Sequence, residues 1–76
     1  MLGQIETHNP MIHVRFEGKS WDLPMSQAGL SPTSSPAEIR ENVSRLLGLS
    51  LPLLNSYTLE RHPNGNVTIR PEAVFG

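Results

Sequence analysis

Apolar and polar residues alternate along the segment MIHVRFEGKSWDLPM. A period of two is typical of strands that bury one face and expose the other to water. The pattern breaks at Gly18–Lys19, where a glycine at the first central position favours a type II′ turn. We therefore predict a β-hairpin in which Phe16 lies opposite Trp21 on the apolar face. On the polar face the same register sets Arg15 opposite Asp22.

The next periodic segment, SSPAEIRENVSRLLG, carries the signals of a helix start and a helix end. Ser35 is a natural N-cap, Pro36 suits the first helical position, and Glu38 completes a Ser-x-x-Glu capping box. Gly48 is a suitable left-handed residue at the C-terminal end. These signals predict a helix from Pro36 to Leu47. Its apolar residues have helical spacing and are expected to form one stripe: Ile39, Val43, Leu46 and Leu47.

The last periodic segment, YTLERHPNGNVTIRP, predicts a second hairpin whose register depends on the length of its loop. A two-residue Asn64–Gly65 loop would pair apolar with polar positions. A three-residue loop, Pro63–Gly65, keeps the faces consistent and sets Leu59 opposite Ile69. It also puts proline at the first central position of a type I turn and glycine at the left-handed bulge position. We therefore predict the three-residue loop.

The predicted order is strand, strand, helix, strand, strand. The leucine-rich segment LSLPLLNS before the third strand is expected to be a buried loop or a short helical turn. One helix can cover one apolar sheet face, and the first and last strands can pair in parallel through a right-handed crossover. This predicts an α+β fold of the β-grasp type: a four-stranded mixed sheet of strand order 2-1-4-3, covered by one helix. The alternative is a ββαββ chain that completes its sheet only in a dimer.

Composition limits the partners that such a domain can bind. Six Lys and Arg against seven Asp and Glu give a net charge of −1, which is not the cationic surface that binding to nucleic acid requires. No apolar run reaches the length of a membrane span, the start of the chain does not resemble a signal peptide, and cysteine is absent. We therefore expect a cytoplasmic protein. Residues 11–76 would form the domain, after a flexible tail of residues 1–10.

Candidate catalytic and metal-binding residues have simpler structural explanations. The three histidines, His8, His13 and His62, lack the i, i+4 spacing of ligands on one helix face. Ser35 and Glu38 are accounted for by helix capping, and no arrangement of nucleophile and base can be drawn. We therefore expect neither enzymatic activity, nor a metal, nor a cofactor.

The hairpin MIHVRFEGKSWDL, the helix SPAEIRENVSRLLG and a closing strand that leads to a glycine together resemble the ubiquitin-like β-grasp superfamily. More specifically, the chain looks like the small bacterial ubiquitin-like proteins predicted to work beside an activating enzyme and a metalloprotease. The resemblance implies that the carboxylate of Gly76 is adenylated and passed to a thiol. Family tails usually end in a glycine pair, whereas Val74 and Phe75 precede a single glycine here.

These observations predict a small non-enzymatic protein-interaction module, and the resemblance extends this to a modifier or carrier acting through Gly76. The partner would be a protein, either an activating enzyme or a larger complex. Contacts are expected on the polar face of the sheet, at His13, Arg15, Glu60 and Arg70. The alternative is a structural or regulatory subunit that docks on a larger assembly, or forms a homodimer, through the segment Leu49–Leu54. In that case Leu51 and Leu53 would make the contacts. The chain would be a monomer or a homodimer.

Overall fold

Four strands form one mixed sheet in the order β2-β1-β4-β3, with β1 and β4 parallel and the other neighbours antiparallel. The computed structural model describes residues 9–72. The strands are β1 (Met11–Phe16), β2 (Lys19–Pro24), β3 (Thr58–Arg61) and β4 (Val67–Arg70), and the helices are α1 (Pro36–Leu47), the one-turn α2 (Leu51–Leu54) and a 3₁₀ helix (Met25–Ala28). The α+β class, the strand order and the parallel central pair agree with the prediction.

The first hairpin forms, but its predicted turn is wrong. The two central residues are Glu17 and Gly18, with φ of 51° and 81°, and positive φ at both positions is the signature of a type I′ turn. Phe16 therefore lies opposite Lys19, and Val14 opposite Trp21. The twist of a type I′ turn matches that of the strands, and this compensates for the uncommon left-handed glutamate. Each residue keeps its predicted face because its partner moves by two positions.

The second hairpin confirms the predicted three-residue loop. Leu59 lies opposite Ile69, and the last pair before the loop is closed by the His62 N–H, which donates to Asn66 O at 2.9 Å. Gly65 has φ of 93°, as the left-handed bulge position requires. The loop length therefore sets the register, and β4 enters the sheet with its apolar residues towards the helix.

The main helix begins and ends where the sequence predicts. Ser35 Oγ accepts a hydrogen bond from the Glu38 N–H at 3.1 Å, and Glu38 Oε1 accepts one from the Ser35 N–H at 3.0 Å. These reciprocal bonds form the capping box. At the other end Gly48 is left-handed, with φ of 71°. The caps fix where the helix begins and ends, and the apolar stripe determines which helix face covers the sheet.

The core lies between the sheet and α1. Leu54 of the one-turn helix belongs to it, so the leucine-rich segment forms the short turn and contributes one buried side chain. Phe16 stacks on Tyr57, with ring centroids 4.9 Å apart, rather than facing Trp21. The buried side chains are Ile12, Val14, Phe16, Met25, Leu30, Ile39, Val43, Leu54, Val67 and Ile69.

The stripe predicted along α1 is only partly buried. Ile39 and Val43 are inaccessible to solvent and Leu47 is partly buried, but Leu46 is 50% exposed. Adjacent residues point about 100° apart around a helix, so Leu46 lies at the margin of the stripe when Leu47 is turned towards the core. The expectation that Leu46 faces the core is therefore wrong.

Long-range hydrogen bonds fix the two segments that flank the sheet. The Arg61 guanidinium on β3 donates to Pro32 O at 2.9 Å and also to Ser34 O, which holds the loop before α1 against the edge of the sheet. Pro10 O accepts from the Met25 N–H at 3.0 Å, which extends the β1–β2 pairing into the segment predicted as a tail. The rest of that predicted tail, residues 1–8, lies outside the described residues.

Candidate protein-interaction surface

The exposed face of the sheet carries an ion pair between β3 and β4. Arg70 donates from Nε to Glu60 Oε1 at 3.1 Å and from Nη2 to Glu60 Oε2 at 2.9 Å, so the pair is bidentate. The hydrogen bond from Arg70 is the main reason that the pKa of Glu60 lies below its usual value. The bond to Glu60 correspondingly raises the pKa of Arg70. The structure thus brings these two predicted contact residues together, and they hydrogen-bond each other.

Two histidines on the same face also have partners within the sheet. His13 Nδ1 donates to Asp22 Oδ1 at 2.7 Å on the neighbouring strand. His62 Nε2 and Thr68 Oγ1 lie 2.8 Å apart. The predicted pairing of Arg15 with Asp22 is wrong, because Asp22 lies opposite His13 in the observed register. The polar face therefore satisfies most of its own hydrogen-bonding groups.

The exposed face does not assemble a metal site from residues 9–72, where no group of three or more His, Cys, Asp or Glu side chains could hold an ion. His13 and Thr68 are neighbours across the parallel pair, but each hydrogen-bonds a different residue. The pairs found there are of the kind that stabilise sheets across neighbouring strands. Of the residues predicted to make contacts on this face, Arg15 is the one that is exposed.

A different kind of surface lies on the helix side, next to the edge strand β2. A cleft of about 360 Å³ separates β2 from the C-terminal end of α1. Trp21 forms its wall on the strand side, and Leu47, Leu49 and Leu53 line the helix side. Leu53 is 52% exposed, whereas the other three pack partly against the core. Charged and hydroxyl side chains complete the lining, so the cleft is an open surface of mixed apolar and polar character.

A second cleft, of about 340 Å³, lies between the 3₁₀ helix and α1. Leu46 lines this cleft, and so does Asn42, whose Nδ2 donates to Ala28 O at 2.8 Å. Within residues 9–72 the exposed large hydrophobic side chains are Leu46 and Leu53, and both lie in these clefts. We call this surface the leucine flank, defined by Trp21, Leu46, Leu47, Leu49 and Leu53.

The residues predicted in the segment Leu49–Leu54 have different environments. Leu53 is exposed on the leucine flank, Leu51 is partly buried, and Leu54 is fully buried in the core. The segment therefore cannot dock through all of its leucines. Gly76, the predicted site of conjugation, lies outside the described residues, and its carrier role remains a prediction.

Sequence reasoning missed Leu46 as a surface residue, whereas Trp21 packs partly against the core and also lines the cleft. Leu46 fits the apolar period of α1, and that pattern predicts a place in the core. The signal that could have identified Leu46 is the Leu46–Leu47 pair, since two adjacent residues cannot both face the centre of a narrow stripe. The partial exposure of Trp21 agrees with its place on an edge strand, which the predicted strand order already contained.

Together, the fold and the flank define a small α+β protein with a polar, self-paired sheet face and one apolar flank. Comparison with protein-family models, with curated proteins and with solved structures found no match. In the part of the chain that the structure describes, no helix has the length and apolar character needed to cross a bilayer.

Proposed function

We propose that this chain is a β-grasp protein-interaction module that binds another polypeptide through the leucine flank. One observation carries the proposal: the exposed large hydrophobic side chains of residues 9–72, Leu46 and Leu53, each line a cleft beside α1, and the adjacent residues Leu46 and Leu47 belong one to each cleft. Exposed apolar side chains bordered by polar ones are typical of interaction sites. The polar sheet face is a weaker candidate because Glu60 and Arg70 bind each other.

The β-grasp assignment rests on topology. The strand order β2-β1-β4-β3, the parallel pair β1–β4 and a helix over the apolar sheet face support it. In this arrangement α1 crosses a sheet whose edge strand β2 it does not fully cover. The leucine flank is the surface that this incomplete coverage leaves exposed.

The energetic gain from covering the flank is moderate. Leu46 and Leu53 are 50% and 52% exposed, so burying the remainder would contribute about 1 kcal/mol for each side chain. The partly buried Trp21 adds an aromatic side chain of the type that is enriched among dominant interface contacts. Such a surface is suited to a specific, reversible complex, in which polar groups at the rim must also be paired.

Site-specific photo-crosslinking in the cells that produce the protein tests this proposal. A benzophenone side chain would replace Leu46 or Leu53, and Ala37 serves as the matched control. Ala37 is exposed on the same helix, nine residues from Leu46, which places it half a turn away around the axis. We expect protein adducts from positions 46 and 53 and none from position 37. In a chain that carries the probe at one of these leucines, replacing the other leucine by Glu should abolish the adducts.

The proposal would be overturned by either of two results. Adducts that form from position 37, or from Arg15 on the polar face, as readily as from the flank would show that no particular surface is used. An absence of adducts from positions 46 and 53, with the probe incorporated and the protein folded, would show that the flank has no partner.

A further inference from the structure

Strand β2 is an edge of the sheet, so its outer side has no neighbouring strand within residues 9–72. The direction of its backbone groups follows from Met25, whose N–H donates to Pro10 O on the β1 side. Backbone groups alternate in direction along a strand, so the N–H and C=O groups of Leu23, Trp21 and Lys19 also point to β1. The N–H and C=O groups of Ser20 and Asp22 therefore point outward, where they are free to pair with another strand.

Two further features single out this edge. Pro24 also occupies an outward position, where its missing N–H leaves the β1–β2 pairing intact and limits how far an added strand can extend. Asp22 Oδ1 accepts a hydrogen bond from His13 at 2.7 Å, so the carboxylate in the middle of the edge is already engaged with the neighbouring strand β1. At the opposite edge, the Arg61 side chain of β3 is engaged with the loop before α1.

We propose that the partner of the leucine flank is a second copy of this chain, with the two β2 strands paired antiparallel about a two-fold axis at Trp21. This inference rests on the proposed function, because it names the polypeptide that the flank binds. In this register Ser20 of each copy lies opposite Asp22 of the other. Each such pair exchanges two backbone hydrogen bonds, so the outward groups of both residues are satisfied in both copies.

The alternative registers are less favourable. An axis at Asp22 would place the two Asp22 side chains directly opposite each other, and like charges in that position destabilise a sheet. An axis at Ser20 would place Asp22 opposite Gly18, which has φ of 81° in the turn and has left the strand. The register centred on Trp21 is the one in which every bonded residue lies within β2.

The same axis brings the leucine flanks together. A two-fold axis perpendicular to the sheet keeps both main helices on one side, so the Trp21 side chains meet on the helix side of the joined sheets. Leu53 shares a cleft with Trp21, and Leu46 precedes Leu47 of that cleft on α1, so the proposed dimer would cover both. The described residues bury ten hydrophobic side chains, and a symmetric dimer is the commonest way for a small domain to bury more surface.

Sedimentation velocity of the full chain over a range of concentrations tests the dimer. The chain has a mass of 8.4 kDa, and we expect a species of twice that mass to form as the concentration rises. Leu46→Glu should raise the dissociation constant at least about tenfold, because two symmetry-related leucines lose apolar contact. Ala37→Glu adds the same charge to the opposite side of the helix and should leave it unchanged. A monomer at every concentration up to about 1 mM, or equal effects of the two variants, would overturn the proposal.

Cysteine crosslinking tests the register, since the natural chain contains no cysteine. Directly bonded positions in an antiparallel pair have Cα atoms about 5.5 Å apart, within reach of a disulfide. We expect Ser20→Cys chains mixed with Asp22→Cys chains to form a disulfide-linked dimer under oxidation. Ser20→Cys chains alone should form it far less readily. Equal crosslinking in both samples would contradict the register.

The mass of the photo-crosslinked adduct from position 46 separates this inference from the proposed function. An adduct of two copies of the chain supports both. An adduct with a different protein, together with a monomer in sedimentation, overturns the dimer and leaves the interaction module in place. No adduct at all overturns both.

Discussion

Ser35 and Glu38 hold the first turn of α1 through reciprocal hydrogen bonds of 3.1 and 3.0 Å. Ser35→Ala removes the side-chain acceptor and leaves a backbone N–H of the first turn without its partner. We expect the free energy of unfolding to fall by about 1 kcal/mol, measured by urea denaturation. Ser35→Asp is the matched control, because a carboxylate can accept the same bond. Equal losses in both variants would contradict a capping role.

The ion pair between Glu60 and Arg70 predicts an effect of pH on stability. The pKa of Glu60 is lowered from its usual 4.5, mainly by the hydrogen bond from Arg70. The ionised pair therefore stabilises the fold above the pKa of the unfolded carboxyl, and this contribution is lost as the pH falls through the lower pKa of the folded state. We expect Glu60→Gln to be less stable than the natural chain at neutral pH. The difference should shrink below about pH 4.5.

Arg70→Gln provides the control for that prediction. If the bidentate pair is responsible, Glu60→Gln should have little pH-dependent effect on the free energy of unfolding in a chain that already lacks Arg70. High salt should also reduce the difference between the natural chain and Glu60→Gln, because both side chains are partly exposed. A pH-dependent difference that persists without Arg70 would assign the stabilisation to another partner of Glu60.

At the scale of elements, the turn of the first hairpin gives a prediction about stability. Glu17 has φ of 51°, which an L-residue with a side chain adopts at a cost, whereas Asn-Gly is the favoured sequence of a type I′ turn. Glu17→Asn should raise the free energy of unfolding by about 0.5 to 1 kcal/mol. Gly18→Ala should lower it by about 1 to 2 kcal/mol, because φ there is 81°. Thermal and urea denaturation would measure both.

The same two variants distinguish the observed turn from the one that the sequence favoured. In a type II′ turn at Gly18–Lys19, residue 17 would belong to the strand, and asparagine there would weaken the hairpin because its propensity for strands is low. Destabilisation by Glu17→Asn would therefore contradict the type I′ turn. Gly18→Ala does not discriminate, since both turns need a positive φ at residue 18.

The elements that the sequence predicted well are those with redundant local signals. The helix has a cap at each end and a hydrophobic period, and the second hairpin has one loop length that keeps its faces consistent. The first hairpin has a single glycine in its turn, which can occupy either central position of a two-residue loop. Its faces were predictable because the period of two is insensitive to that choice. Its cross-strand partners, such as His13 with Asp22, were not.

At the scale of the whole molecule, the strand order was predictable because one helix and four strands allow few connections. The leucine flank was not, because it depends on how far α1 extends over the sheet. That extent is a property of packing between distant parts of the chain, and hydrophobic periodicity does not report it. Leu46 therefore has the pattern of a core residue in the sequence but is half exposed in the structure, whereas Trp21 packs partly against the core and also lines an open cleft.

The measurement that tests the account most directly is amide hydrogen exchange by NMR, at low and at high protein concentration. The Ser20 and Asp22 N–H groups point away from the sheet, whereas the Leu23 N–H points to β1. We predict that Leu23 is protected at both concentrations, and that Ser20 and Asp22 become protected only at high concentration, when β2 pairs with a second copy. Rapid exchange of Ser20 and Asp22 at every concentration, with Leu23 protected throughout, would contradict the pairing of this edge.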